Sequence, residues 1–178
     1  MKIHFGSQVS IILIVMLSSL FSCRSIPNGI EAVTNFNADK YLGQWYEIAR
    51  FDFRFERDMN NTTANYINNP DGTIKVVNRG YNYVTNEWSE ATGKAKFVKT
   101  PDVAMLKVSF FGPFYAGYNI IALDADYKYA LISGQNKSYL WILSREKTIP
   151  EHIRAEYVNK AQSMGYDTSK LIWVEHHM

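Results

Sequence analysis

The chain has 178 residues, 47% hydrophobic and 20% charged, enough for one compact domain and no reason for two. Its 19 lysines and arginines stand against 17 acids, so no strong field directs it to nucleic acid or to an acidic substrate. A single cysteine excludes a scaffold stapled by internal disulfides.

The first element is a leader. Lys2 precedes an apolar run, IILIVMLSSLF from Ile11 to Phe21, which matches the core of a signal peptide and falls short of the roughly 20 apolar residues of a membrane-spanning helix. Leu20-Phe21-Ser22-Cys23 resembles the lipobox of bacterial lipoproteins, which implies cleavage after residue 22 and acylation of Cys23. Two or more acyl chains hold a protein on a bilayer durably, where one does not. Arg24 rather than an aspartate follows the cysteine, and the enterobacterial sorting rule that this resembles implies the outer membrane. Residues 23–35 then read as the lipidated cysteine and a tether, with Pro27, Gly29 and little apolar pattern. Fully extended, that tether reaches at most roughly 40 Å.

Past the tether, short runs of alternating apolar and polar residues are separated by turns at about 8 to 15 residue spacing, the pattern of an antiparallel sandwich or barrel. Asn69-Pro70-Asp71-Gly72, Thr100-Pro101-Asp102, Asp124-Ala125-Asp126 and Gly134-Gln135-Asn136 supply the turn chemistry. Strands are predicted over 44–51, 62–68, 73–80, 88–98, 104–110, 118–124, 128–133 and 139–145, eight in up-and-down order. Ala91, Gly93, Ala95 and Phe97 share one face while Thr92, Lys94 and Lys96 share the other, so one side is inside and the other wet. Leu106, Val108 and Phe110 alternate in the same way, and Tyr139, Trp141, Leu143 and Arg145 share a face. One helix follows: Pro150 suits its first turn, Ile153, Tyr157, Ala161 and Met164 form its stripe, and Gly165 suits its end. Leu171 to Val174 is a last short strand. The expected fold is all-β over residues 36–178: an eight-stranded antiparallel up-and-down barrel with one C-terminal α-helix on its wall and a final short strand.

Gly43 and Trp45 open the first strand within DKYLGQWYEIAR, Asp126-Tyr127 sits in the turn between the sixth and seventh strands, and Arg145 ends the eighth. Together these resemble the three signatures of the lipocalins. Strand direction brings all three to one end, where Trp45 under the guanidinium of Arg145 closes the floor by a cation–π contact. The stretches GQWYEIARFDFRFE, KVSFFGPFYAGYNIIALD, YLWILSR and KLIWV resemble the bacterial outer-membrane lipoprotein branch of that family, the branch nearest to apolipoprotein D. The resemblance implies a calyx that holds a fatty acid or lysophospholipid, on a domain facing the periplasm.

An eight-stranded barrel is just wide enough to hold one small ligand, and is often filled by its own side chains. Gly93, Ala91 and Ala95 on the inward face leave volume for the former. Parity assigns Tyr66, Phe97, Leu106, Val108, Phe110, Tyr118, Tyr139 and Trp141 to the cavity. Strand direction puts loops 51–61, 81–87, 111–117 and 134–138 at the open end, with Phe111, Phe114 and Tyr115 around the mouth. Arg50, Arg54, Arg57 and Lys137 are the cations near that mouth that suit a carboxylate or phosphate head. The aromatic mouth also suits a protein or a membrane as a docking surface. No nucleophile, base and orienter come together, because His4 lies in the leader, His152 on the helix and His176 and His177 at the terminus. The reading is therefore of a binder without metal or cofactor; whether it pairs with a second copy is not written in the residues.

Overall fold

The computed structural model describes residues 25–177, so the leader and Cys23 lie outside the described residues. Eight antiparallel strands form the barrel: β1 (Gly43–Phe51), β2 (Met59–Asn68), β3 (Ile74–Asn82), β4 (Glu87–Phe97), β5 (Met105–Phe111), β6 (Phe114–Leu123), β7 (Tyr129–Gly134) and β8 (Leu140–Ser144). Each pairs with its sequence neighbour, and β1 pairs with both β2 and β8, which closes the ring and leaves no long free edge. Side-chain volume is matched across the pairs. Val76 faces Gly93 and Ile74 faces Ala95, so the wall that the small residues of β4 make thin is lined from β3 by branched ones.

Two apolar layers result. Inside the barrel, Trp45, Tyr66, Ile74, Val76, Leu106, Ile120 and Ile132 are buried; on its outer wall, Ile48, Ile121, Leu131 and Ile142 are covered by α2 (Glu151–Ser163). The expected stripe is the one used: Tyr157 and Ala161 are buried, and Ile153 and Met164 pack beside them. The hydroxyl of Tyr157 donates to the carbonyl of Tyr129 at 2.9 Å and so ties the helix to β7. After α2, β9 (Leu171–Trp173) runs antiparallel to the mouth-side half of β1, outside the ring of eight.

Four details differ from expectation. The segment 111–117 is not a loop: β5 and β6 continue to Phe111 and Phe114, which pair across the two-residue turn Gly112-Pro113. β2 likewise begins at Met59 rather than at residue 62. A one-turn helix, α1 (Ala38–Tyr41), crosses under the barrel with Asn37 as its cap; four residues are too few to show a helical period. The tether does not hang free from residue 25 onward. Ile30 is buried in the outer layer, Val33 donates to the carbonyl of Ile120, and Thr34 bridges to Val103.

A β-bulge between Glu47 and Ala49 shifts the register of β1 against β8. In a regular strand residues three apart point to opposite faces. The extra residue turns Arg50 to the same side as Glu47, and this decides the polar chemistry of the interior.

Candidate functional site

The floor is built around one guanidinium. Arg145 lies 4.0 Å from the ring centre of Trp45 and donates to the carbonyls of Gln44 at 2.7 Å, Lys40 at 2.9 Å, Tyr41 at 3.1 Å, Leu42 at 2.9 Å and Tyr127 at 3.2 Å. It therefore takes up carbonyls that the short helix α1 leaves without partners and joins them to the turn before β7. Burial lowers its pKa below the usual arginine value, from a level so high that it stays charged. Gly43 has φ of +89°, a conformation that favours glycine, directly beside this guanidinium. Tyr127, also left-handed, accepts the N–H of Asn37 on its hydroxyl. Asp126 points to solvent beside Lys128; the turn is held instead by Asp124, whose carboxylate accepts the N–H groups of Asp126, Lys128 and Tyr129.

Above this floor is a cavity of about 480 Å³, within the range of small-molecule sites. Tyr66, Leu106, Val108, Phe110, Tyr118, Tyr139 and Trp141 line it as parity required. Phe97 does not: it faces inward too low, and Phe36, from the segment before β1, packs beneath it with tilted rings at 6.3 Å and makes it part of the floor. The space beside Gly93 is partly taken as well, since the ring of Phe110 lies where a Cβ would be. At the cavity's base the hydroxyls of Tyr41, Tyr118 and Tyr66 form a chain with both links at 2.7 Å. Burial pushes all three phenols up, so they stay neutral, and their oxygens are occupied with one another. The base is thus apolar in effect despite three oxygens.

The upper wall is different. Glu47 on β1 pairs with Arg50 at 2.8 Å, and both are buried. Arg50 also donates to the carbonyls of Glu56 at 2.6 Å and Met59 at 2.9 Å, which holds the β1–β2 loop against the barrel. Glu56 turns inward from that loop, contacts the carboxyl of Glu47 and accepts the indole N–H of Trp141 at 3.1 Å. Burial, then the neighbouring Glu47, pushes the Glu56 carboxyl well above its ordinary range; burial also raises Glu47, against the pull of Arg50. Next to them, β2 and β3 present Thr62 and Asn78 to the cavity, and Thr62 Oγ1 and Asn78 Oδ1 have no hydrogen-bond partner among the described residues. Tyr46 pairs with Thr63 and Ala64 with Asn78, so Glu47, Thr62 and Asn78 sit at a similar height on one wall. That wall is rich in acceptors.

Of the four cations expected to hold a head group, none faces the cavity with a free guanidinium or ammonium. Arg50 is internal, turned in by the bulge. Arg57 is exposed and paired with Asp52 at 2.8 Å, and Arg54 lies over the ring of Phe55 at 4.6 Å. Lys137 runs along the outside, its ammonium beside Gly165 at the end of α2, where the carbonyl end of a helix favours a cation. The mouth itself is partly strapped. β1–β2 and β5–β6 are opposite hairpins of an eight-stranded ring, yet Phe55 of the first meets Phe111 of the second at 6.0 Å, while Phe53 packs on Tyr139 and Trp141.

Sequence reasoning missed Tyr41, Glu47, Glu56, Thr62 and Asn78. The alternation that put Trp45 inside puts Glu47 inside as well, so a signal for it existed. For Glu56 there was none, because a loop residue has no parity.

A barrel shut by a stacked arginine and tryptophan and open at an aromatic mouth defines a calyx, a container for one small apolar molecule. The chain belongs to the lipocalin family: the lipocalin-like domain matches residues 36–176. It is 52% identical over 149 residues to the outer membrane lipoprotein Blc of Escherichia coli K12, covering 84% of each chain. It is 44% identical over 167 residues to outer membrane lipoprotein Blc of Vibrio cholerae, covering 93% of this chain and 98% of that one. Among solved structures, insecticyanin from the tobacco hornworm Manduca sexta aligns with a TM-score of 0.68 at 19% identity, over 86% of this chain and 87% of that one, a likeness of fold alone. With relatives of that kind, the chain is a lipocalin similar along most of its length to outer membrane lipoproteins.

Proposed function

We propose that the protein holds one single-chain lipid, a fatty acid or a lysophospholipid, tail down in the calyx, and stores or carries membrane lipids at the cell envelope, anchored through Cys23 with its domain in the periplasm. The observation that carries this reading is the division of the 480 Å³ cavity into an apolar base and a polar upper wall, the division of the ligand itself. Each methylene drawn from water contributes about 0.8 kcal/mol, so a dozen give roughly 10 kcal/mol before the cost of immobilising the ligand. The upper wall ranks the two ligands. Its unpartnered acceptors, Thr62 Oγ1 and Asn78 Oδ1, suit a head that donates, an ammonium or a glycerol hydroxyl, which a lysophospholipid carries and a fatty acid does not. Lysophospholipid therefore stands ahead of fatty acid. The reading is of a binder and not of an enzyme: His152, His176 and His177 all lie off the cavity, and its phenols are held neutral.

The test is native mass spectrometry of the protein mixed with equal amounts of oleate and lysophosphatidylethanolamine. One lipid per barrel is expected, mostly the lysophospholipid. Val108→Trp, which fills the calyx from β5 without adding charge, should lose it more than tenfold while melting as a folded protein. An intact wild-type barrel that binds neither lipid would sink the reading.

A further inference from the structure

The described chain begins at the mouth and not at the floor. The carbonyl of Ser25 accepts Asn119 Nδ2 at 2.7 Å. It lies so close to Gly117 that a Cβ there would meet it at 2.1 Å, and the same point is 3.1 Å from Gln135 Cα. Gln135 follows the mouth end of β7, and Gly117 is three residues from Phe114, the mouth end of β6. Three strand residues span about 10 Å. Cys23 is two residues beyond Ser25, at most roughly 7 Å of chain. Because Ile26 packs on the outer layer and Ile30 is buried in it, this exit point is fixed, and the acylated residue cannot wander the 40 Å that a free tether would allow.

The same end carries exposed aromatic rings. Phe55, Phe111 and Phe114 are 56%, 67% and 78% exposed, and Phe55 and Phe111 touch. Exposed aromatic surface of this kind marks an interaction site. Cations are drawn up against it: Arg54 over Phe55, and the ammonium groups of Lys96 and Lys107 at 4.7 Å and 5.5 Å from the ring of Tyr115. Of the acids at that end, Asp52 is neutralised by Arg57 and Asp58 accepts the hydroxyl of Tyr83, while Glu87, at the mouth end of β4, is exposed. Basic residues near an anionic bilayer are attracted to it.

We propose that the mouth of the calyx lies on the phospholipid bilayer that the Cys23 anchor enters, with Phe55, Phe111 and Phe114 in the interface, so that lipid passes between membrane and cavity without crossing water. This rests on the lipid-calyx reading and on acylation of Cys23. The short exit brings a bilayer, and not an arbitrary partner, to this face.

Full-length acylated protein in vesicles of phosphatidylethanolamine and phosphatidylglycerol tests it. A fluorophore is attached through Phe114→Cys at the mouth or, separately, through Asp71→Cys in the β2–β3 turn at the floor, and is quenched by spin-labelled lipid. Quenching by more than half at 114 and near zero at 71 is expected. Equal quenching at both, quenching at 71 alone, or none at either in protein that floats with the vesicles overturns the proposal. Energy transfer between labels at 114 of two copies, without lipid quenching, overturns it in favour of mouth-to-mouth dimers. The double variant Phe111→Asp, Phe114→Asp should then slow entry of a fluorescent lysophospholipid from the vesicle about tenfold while the final loaded fraction is unchanged; an unaltered rate counts against the proposal. Should the wild-type calyx take up no lipid at all while the quenching contrast stands, the calyx reading fails and the docking survives.

Discussion

The two ends of the barrel are built on opposite principles. At the floor, one guanidinium serves five carbonyls and an indole, so that the backbone of α1 and of the turn before β7 converges on a single residue. At the mouth, aromatic rings are left in the open and the cations either stack on them or pair locally. An end that must stay shut concentrates its hydrogen bonds, while an end that must exchange a ligand leaves apolar surface unspent.

The sharpest way to break that contrast is Arg145→Ala. Hydrogen bonds from a charged donor contribute more than neutral ones, and a cation–π contact adds to them. The loss is expected to be about 3 kcal/mol of stability by urea unfolding, with water replacing some of the bonds at this half-exposed site. Arg145→Lys should recover less than half, because one ammonium cannot reproduce the planar fork. A loss below about 1 kcal/mol would mean that α1 and the 124–129 turn are held mainly by other contacts.

Between the two ends, Glu56 sharpens the comparison by pH. Its folded pKa is raised, so the native state keeps the proton longer than the unfolded chain does. Stability from this group is complete below the ordinary carboxylate range and is lost as pH climbs toward the folded value, by up to about 1.4 kcal/mol per pH unit. Glu47, raised as well, acts in the same direction. Melting followed from pH 4.5 upward should fall for the wild type and fall less steeply for Glu56→Gln, which keeps an acceptor for Trp141. Parallel curves would show that the carboxyl is not the source.

The fold was legible because several strands carry their own alternation, as in Lys94, Ala95 and Lys96, and because three separate signatures agree on one end. Residues went astray where geometry departs from regular parity. Arg50 reads as a mouth cation until the bulge turns it inward, and Phe97 has the correct face but is covered from below by Phe36, whose segment belongs to no strand. The tether hid its packing in plain view: Ile26, Ile30 and Val33 are its large aliphatic residues, and each finds a place against the barrel. Phe111 and Phe114 were placed at the mouth by direction alone, although in a hairpin tip and not in a loop.

The smallest effect expected belongs to one of the four residues that sequence reasoning put forward for the head group. Arg57 is exposed and bound to Asp52 by two of its nitrogens, at 3.1 Å and 2.8 Å, and hydrogen bonding to that carboxylate raises its pKa. Recruiting it to a phosphate would mean giving up an existing partner for an equivalent one. Exposed pairs contribute little, and exchanging partners in water contributes less. Arg57→Ala should therefore leave lysophospholipid affinity within about twofold by competition with a fluorescent lipid. A tenfold loss would put the head group at the rim, beyond Glu47, Thr62 and Asn78, and would make the upper wall a lining that the ligand merely passes.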